Sequence, residues 1–353
     1  MPPPTVVADP RFRAGRRLVE SGRAHFGAVE MFGTLCEEAR AKYGDSSVGT
    51  GACYYEYGNA LFRAALRAQA EEGEIMGAED GGGNEPAAAG QSAAVTSGPL
   101  SAASSAAVDD TELALEQMEN AWAIFDRCVA VSAKGGKGAE DVGGHLDWIE
   151  EQLPRILTGI GDVLAELNRS ADAVDAYTRA LAHREEAVEG LKGDGGGESL
   201  RFLVARRRLC EANVLVAESL LACPRDGDVV TSETGSVLCR AGEILEYAQG
   251  YYDRGRDELQ EALVLMGAIS SQAKSNNDLK EEKENVCFCA QMLGGVGNAL
   301  ADREEQQLTL ASAPEAKKQR TAADDGGPRK LNCEVCMDDV ELSSMGFLGC
   351  GHA

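Results

Sequence analysis

Aromatic side chains are scarce in this sequence, because Phe, Trp and Tyr together make up only 5% of the 353 residues. Sheet sandwiches are rich in β-branched and aromatic residues, so this scarcity, together with abundant Ala, favours closely packed helices. No apolar run reaches about 18 residues, and therefore no transmembrane helix is expected. The first residues, MPPPTVVADPRFRAGRR, lack the apolar core of a signal peptide.

Positive charge is also scarce, since the chain has 34 Lys and Arg but 58 Asp and Glu, for a formal net charge of −24. Binding to nucleic acid requires clustered Lys and Arg that neutralise phosphates, so no direct contact with nucleic acid is expected. An anionic membrane surface would repel such a chain as well. A basic protein is the natural partner, and electrostatic steering would speed the encounter.

Sequence signatures of catalysis are missing too. We find no hydrolytic triad, phosphate-binding loop or dinucleotide motif, and the four His residues lack HExxH spacing. The chain is therefore predicted to bind rather than to catalyse. Eight of its 11 cysteines are scattered without metal-type spacing, and we predict that they are small buried residues in a reducing compartment. These are Cys36, Cys53, Cys128, Cys210, Cys223, Cys239, Cys287 and Cys289.

Helical periodicity is what the sequence does contain. For example, apolar residues recur at every third position from Phe26 to Leu35, which predicts one helical face. One segment is rich in Ala, Gly, Ser and acids and contains no Lys or Arg, which predicts disorder. A loop near 224–230 is predicted to precede two more helices. The predicted segments are a disordered N-terminus at 1–11, helices at 12–69, the disordered acidic insert at 70–110, helices at 111–192 and 198–305, a polar linker at 306–330 and a zinc-finger-like segment at 331–353.

One pair of helices carries a repeat pattern. Leu157 is followed four residues later by Gly161, and Ala173 comes twelve residues after that. Tyr177 and Ala180 complete the spacing of a tetratricopeptide (TPR) repeat. In this interpretation Gly161 and Ala173 allow two helices to approach closely, and Leu157 and Tyr177 fill the space between them. An ordinary helical hairpin is the alternative.

Two weaker and unevenly spaced copies of the pattern support a solenoid. Ala28 and Phe32 hold the Ala and aromatic positions of an earlier repeat, and Gly255, Leu259 and Ala262 hold the same positions late in the chain. We therefore predict an all-α, interrupted TPR solenoid with a disordered acidic insert and a small, incomplete zinc-finger-like tail. The first repeat and the first helix of the second repeat would occupy 12–69. The rest of the second repeat and a core repeat would occupy 111–192, and further TPR helices with a long capping helix would occupy 198–305.

Several of these features occur in the same order in a known family. The early repeat FGAVEMFGTLCEEARAKYGD is followed by a helix with the core YGNAL at 57–61, then by the acidic insert, and then by LEQMENAWAIFDRCV. The best repeat, with Gly161, Asp162 and Val163, comes next. In this order residues 12–305 resemble the SHNi-TPR histone chaperones, the family related to nuclear autoantigenic sperm protein.

The resemblance implies a nuclear or nucleocytoplasmic chaperone that escorts core histones, chiefly the arginine-rich pair, for nucleosome assembly. It implies binding in a TPR groove together with acidic shielding of basic histone surface. The insert of this chain is diluted with Ala, Gly and Ser, so a solvated linker is the alternative for it. Outside the insert, Glu112, Glu116 and Glu119 share one helical face, and we expect Glu116 and Glu119 as histone contacts, with an ordinary solvated face as the alternative.

A short basic cluster follows the predicted helices. Lys317, Lys318 and Arg320 lie in the linker and are candidates for a nuclear localisation signal. A chance cluster in a solvated linker is the alternative.

The last residues have a spacing that is typical of zinc ligands. Cys333 and Cys336 form a Cys-x-x-Cys pair, and Cys350 and His352 follow as Cys-x-His. They resemble the first four of the eight ligands of a RING finger, in which these two pairs belong to different zinc ions. We therefore expect an incomplete zinc site and a truncated RING, which would engage a ubiquitin-conjugating enzyme only if a longer form completes it. One zinc ion held by all four residues is the alternative.

Two other functions stay open at this point. A longer form with a complete RING would be a ubiquitin ligase with a TPR recruiter. A generic TPR adaptor would clamp a carboxylate in a basic groove, for which Arg206, Arg207 and Arg208 are the candidates.

Overall fold

The computed structural model describes residues 5–22, 25–77, 100–134, 144–193, 199–224, 229–272, 277–312, 331–332 and 339–340. Two compact units make up the chain, and the boundary between them lies between Leu167 and Asn168. Most of the described residues are helical, which confirms the predicted all-α class. No helix in the described ranges is long and apolar enough to cross a membrane.

The first unit contains five helices among the residues that the structure describes. They are α1 (Pro10–Ser21), α2 (His25–Tyr43), α3 (Val48–Gly77), α4 (Leu100–Ala133) and α5 (Leu146–Glu166). Consecutive helices pack against each other, and α3 also contacts α1 and α5, so these alternate helices form one layer. Aromatic pairs join the first two and the last two of these helices. Phe12 of α1 packs edge to face on Phe32 of α2 with ring centroids 5.5 Å apart, and Phe125 of α4 packs in the same way on Trp148 of α5 with centroids 5.6 Å apart.

The second unit is organised around α7. Its described helices are α6 (Ser170–Gly193), α7 (Leu200–Ala222), α8 (Ile244–Gln272) and α9 (Asn277–Ser312). Helix α7 packs against the other three, and its buried residues Leu203, Leu209 and Val214 lie in the interior. Ser199 caps α7, since its hydroxyl oxygen accepts a hydrogen bond from the Phe202 amide at 3.2 Å.

A β-hairpin precedes α8, where the sequence predicts a loop followed by helix. Strand β1 (Val229–Thr231) pairs antiparallel with β2 (Val237–Arg240), with Val230 opposite Cys239. Both of these residues are buried, and Val229 is exposed, which gives β1 the alternation of a half-buried strand. Strand β2 does not alternate strictly, because Val237 is exposed although it lies two residues from Cys239, and the pairing has an irregularity between Val230 and Thr231. Gly235 makes the turn at a φ of 85°. The residues after the hairpin form one long helix instead of two.

Four helix boundaries differ from those predicted. The described residues begin with a 3₁₀ turn at Thr5–Ala8, and α1 begins at Pro10, where the side chain of Asp9 caps the helix by accepting from the Arg11 amide at 2.8 Å. Helices α3 and α4 both extend into the predicted insert, to Gly77 and from Leu100. The Ala-rich sequence before Thr111 has high helix propensity, which explains the early start of α4. Helix α9 continues to Ser312, into the predicted linker. Residues 78–99 of the insert lie outside the described residues.

Candidate functional site

Helix α4 presents a row of carboxylates to solvent. We call this row the acidic face; it consists of Asp109, Glu112, Glu116, Glu119 and Asp126, all of which are exposed. The opposite side of the helix is buried through residues such as Ala114 and Met118. No Lys or Arg occurs between Asp109 and Asp126, and Arg127 at the end of the row donates a hydrogen bond to the Ser46 hydroxyl at 3.1 Å. The structure therefore places the predicted contacts Glu116 and Glu119 together on one exposed surface.

Close approach of α3 holds α4 in place. A Cβ at position 58 would lie 2.8 Å from the carbonyl oxygen of Ala114 and 2.9 Å from Cγ of Met118, so only glycine fits there without a shift. Two further residues of the YGNAL segment, Ala60 and Leu61, are buried. The segment thus has a packing role that fixes the helix carrying the acidic face.

A second polar cluster lies within the layer of α1, α3 and α5. The Nε atom of Arg16 on α1 lies 3.2 Å from Oε1 of Glu56 on α3, and the Arg155 guanidinium of α5 lies 5.7 Å from the ring centroid of Tyr55. Arg155 also donates to Oε1 of Gln152 at 3.0 Å. Sequence analysis missed this cluster, although a charged residue inside the otherwise apolar and aromatic stretch YYEYG was a usable signal.

Glu56 is the most deeply buried carboxylate of this cluster, with 4% of its surface exposed. Burial raises the pKa of Glu56, and the nearby guanidinium groups of Arg16 and Arg155 partly oppose that shift. The Arg16–Glu56 and Arg155–Tyr55 contacts tie α1, α3 and α5 together.

The five residues of the predicted core repeat are all buried. Leu157 and Gly161 lie on α5 in the first unit, whereas Ala173, Tyr177 and Ala180 lie on α6 in the second unit. The weaker positions Ala28, Phe32, Gly255, Leu259 and Ala262 are buried as well. Burial is the environment that a TPR repeat requires of these positions, and their assignment to a repeat stays a prediction.

The arginines considered for a carboxylate clamp are engaged inside the second unit. Arg206 forms an ion pair with Glu258 of α8, and Arg207 forms ion pairs with Glu282 of α9 and with Glu211. The carbonyl oxygen of Arg208 accepts a hydrogen bond from Arg184. These internal partners weaken the interpretation of this segment as a groove for a peptide carboxylate.

Two sets of predicted residues lie outside the described residues. These are the zinc candidates Cys333, Cys336, Cys350 and His352 and the basic cluster Lys317, Lys318 and Arg320. The structure does describe the strands on either side of the first cysteine pair, in which Leu331 and Asn332 pair antiparallel with Val340 and Asp339. Within the described ranges, no group of three or more His, Cys, Asp or Glu residues could hold a metal ion.

Comparisons with protein-family models and with curated proteins give no match. Functional inference therefore depends on the residues themselves and on their geometry.

Proposed function

We propose that this chain is a histone-binding chaperone of the SHNi-TPR type, which escorts core histones for nucleosome assembly and acts in the nucleus. The acidic face of α4 carries the proposal, because it offers closely spaced carboxylates with no Lys or Arg among them. Such a surface complements the Arg and Lys side chains of histones and would shield them from DNA. The layered helices of the first unit provide the rigid support that a TPR-like groove needs.

The arrangement of basic residues supports the same proposal. In the second unit, the largely buried side chains of Arg206 and Arg207 pair with carboxylates of neighbouring helices. Cations used in this way are not offered to an acidic partner, whereas the carboxylates of the acidic face are exposed on the surface of α4. The chain is therefore better suited to a basic protein than to a nucleic acid or an acidic peptide.

The test is a binding titration of the full chain against the refolded arginine-rich histone pair, with Glu112→Gln, Glu116→Gln and Glu119→Gln combined in one variant. We expect this variant to bind about tenfold more weakly or worse, since three charge-assisted contacts are lost. The matched control combines Glu185→Gln, Glu186→Gln and Glu261→Gln, which remove the same charge from exposed sites of the second unit. If the two variants weakened histone binding equally, the loss of affinity would depend only on net charge, and this result would contradict the proposal.

A salt series separates a specific surface from general acidic attraction. The titration is repeated at about 150 and 500 mM salt beside a basic control protein, because exposed charge pairs are strongly screened at the higher concentration. Histone binding that survives while control binding is lost supports the chaperone. Equal loss of both would overturn it in favour of a TPR adaptor.

One observation favours a second candidate, a TPR-containing RING-type ubiquitin ligase. The paired strands at 331–332 and 339–340 bring together the two ends of the segment that carries Cys333 and Cys336. Those two thiolates, with Cys350 and His352, would hold zinc. The test measures zinc content of the full chain and of Cys333→Ser, together with ubiquitin discharge from a charged conjugating enzyme. Zinc binding with discharge would support the ligase, and an absence of both would exclude it for this chain.

A further inference from the structure

A serine hydroxyl in the turn between α2 and α3 lies beside a guanidinium group of another helix. Ser46 is exposed in this turn, and its Oγ accepts a hydrogen bond from Nη1 of Arg127 at 3.1 Å. Because Arg127 belongs to α4, the contact joins the turn to the helix that carries the acidic face. By contrast, the exposed hydroxyls of Ser21 and Thr34 donate to carbonyl oxygens of their own helices.

The next serine has a different role, because its hydroxyl serves the fold. Oγ of Ser47 accepts a hydrogen bond from the Thr50 amide at 3.1 Å and lies 2.8 Å from Oγ1 of Thr50. The Thr50 hydroxyl in turn donates to the Gly44 carbonyl oxygen at 2.8 Å. These bonds cap the start of α3 and fix the turn. Of the two adjacent serines, Ser46 is therefore the one with an accessible hydroxyl and a cation beside it.

The charges around Ser46 suit a phosphate group. Phosphoserine carries a charge of about −1.5 to −2 and three acceptor oxygens, which an arginine can hold with two parallel N–H bonds. The carboxylate next to it in sequence, Asp45, is already paired, since its Oδ1 lies 2.7 Å from Nε of Arg40. Helix α3 begins two residues after Ser46, and the positive end of its dipole also favours an anion there.

We propose that Ser46 is a phosphorylation site, at which Arg127 holds the phosphate and the phosphate extends the acidic face of α4. In the active site of a protein kinase, Oγ of Ser46 attacks the γ-phosphorus of a nucleoside triphosphate. The new O–P bond forms, the bond from the γ-phosphorus to the bridging oxygen breaks, and the nucleoside diphosphate leaves. The hydroxyl proton passes to a base of the kinase.

The position of Arg127 gives this modification a consequence for binding. The acidic face ends at Asp126, and Arg127 is the next residue of α4. A phosphate on Ser46 would neutralise this cation and add negative charge at that end of the face, so a basic partner would be attracted more strongly. This consequence rests on the proposed function, whereas the phosphorylation site and its contact with Arg127 do not.

The first test maps phosphate on the native protein. The full-length chain is isolated from its source cells with phosphatase inhibitors and digested with trypsin, and the peptide that spans 43–63 is analysed by mass spectrometry. We expect phosphate on Ser46 and none on Ser47. A peptide with no phosphate on Ser46, or with phosphate only on Ser47, would overturn the proposal.

The second test measures the contact with Arg127. Phosphoserine is installed at position 46 of the full-length chain, and its second ionisation, at about pH 6 in a free peptide, is followed by phosphorus NMR. A nearby guanidinium favours the dianion, so we expect the midpoint to lie roughly half a pH unit lower than in the same protein with Arg127→Gln. Both side chains are exposed, and the variant should therefore fold. Equal midpoints would show that Arg127 does not hold the phosphate.

The third test concerns the acidic face. The chain with phosphoserine at position 46 should bind the refolded arginine-rich histone pair roughly threefold more tightly than the unmodified chain. The control carries phosphoserine at position 236, an exposed serine of the second unit, which adds the same charge elsewhere. Equal gains in the two modified chains, or no gain at position 46, would overturn the extension of the acidic face. If the unmodified chain binds no histone, the proposed function fails, and the first two tests still decide the phosphorylation site.

Discussion

Two regions of this protein, the outer side of α4 and the core around α7, treat their charges in opposite ways. On α4 in the first unit, carboxylates point into solvent with no Lys or Arg among them. In the second unit, Arg184, Arg206 and Arg207 form ion pairs with carboxylates, with no more than a fifth of any partner's side chain exposed. The same kind of charged side chain is thus exposed in one place and paired inside the helical packing in the other. A net charge of −24 does not by itself say where a partner would bind.

Removal of a cation from the interior of the second unit should have the largest effect and therefore tests this comparison most strongly. Arg207→Met leaves Glu282 buried without its partner, and we expect the free energy of unfolding to fall by about 3 kcal/mol or more. Urea unfolding followed by circular dichroism measures the change. The combined variant Arg207→Met with Glu282→Met should recover much of the loss, because no unpaired charge then remains.

An exposed pair of the same unit gives the control. Arg256 lies 3.1 Å from Asp253, with 55% and 42% of their side chains exposed. Arg256→Met should cost less than about 1 kcal/mol, since water screens such pairs. A cost equal to that of Arg207→Met would contradict the distinction between internal and surface charges.

The next largest effect tests the support of the acidic face. Gly58→Leu forces side-chain atoms against α4, and we expect a loss of about 2–3 kcal/mol in the free energy of unfolding. Gly190 on α6 is the control, because no atom of the surroundings lies within 4 Å of a Cβ built there. Gly190→Ala should increase stability by about 0.5–1 kcal/mol through its helix propensity. If thermal denaturation gave Gly58→Leu the stability of the wild type, α3 and α4 would not approach as closely as described.

The pH dependence of the free energy of unfolding tests the buried carboxylate of Glu56. Its folded-state pKa is raised above the ordinary value of 4.5, so between these two values the folded protein binds more protons than the unfolded chain. The contribution of Glu56 is complete below pH 4.5 and is lost as the pH rises through the raised folded-state pKa. Wild-type stability should therefore fall relative to Glu56→Gln between pH 4.5 and neutrality. Urea titrations at several pH values would measure this fall in the free energy of unfolding, with the more exposed Glu20→Gln as control. A difference between wild type and Glu56→Gln that does not vary with pH would contradict the role of Glu56.

The smallest expected effect concerns the acidic face itself. The combined Gln variant of Glu112, Glu116 and Glu119 should change the free energy of unfolding by no more than about 0.5 kcal/mol per site, because these side chains are exposed. Thermal denaturation checks this expectation. A large loss would show that these carboxylates support the fold, and weaker histone binding could then not be assigned to lost contacts.

Sequence analysis located the acidic face more reliably than it located the ends of the elements. Glu112, Glu116 and Glu119 follow the helical period, so their common face could be predicted from spacing alone. The early start of α4 was missed because Ala favours helix while the neighbouring Gly and Ser suggest disorder. The hairpin at 229–240 does not follow from the sequence, because its strands are only three and four residues long and the sequence of the second favours the start of a helix.

The cysteines also show that the sequence predicts burial better than it predicts contacts between helices. Seven of the eight scattered cysteines are buried, as predicted, and Cys287 is half-buried. Their surroundings were not predictable, because neighbours on other helices affect them: Cys53 of α3 raises the pKa of the Cys36 thiol of α2, and Cys210 of α7 raises the pKa of the Cys289 thiol of α9. Sequence spacing identifies ligand pairs only where the partners lie a few residues apart.

The sequence by itself determined that the protein is helical and strongly acidic and that its α4 carboxylates share one face. Those properties depend on composition and on neighbours three or four residues apart, which a linear pattern records. Only the tertiary structure decided that Gly58 allows the close approach of α4 and that Arg207 forms an ion pair with Glu282. Each of these results from packing between helices, where the contact depends on the position of the whole element and not on its local sequence.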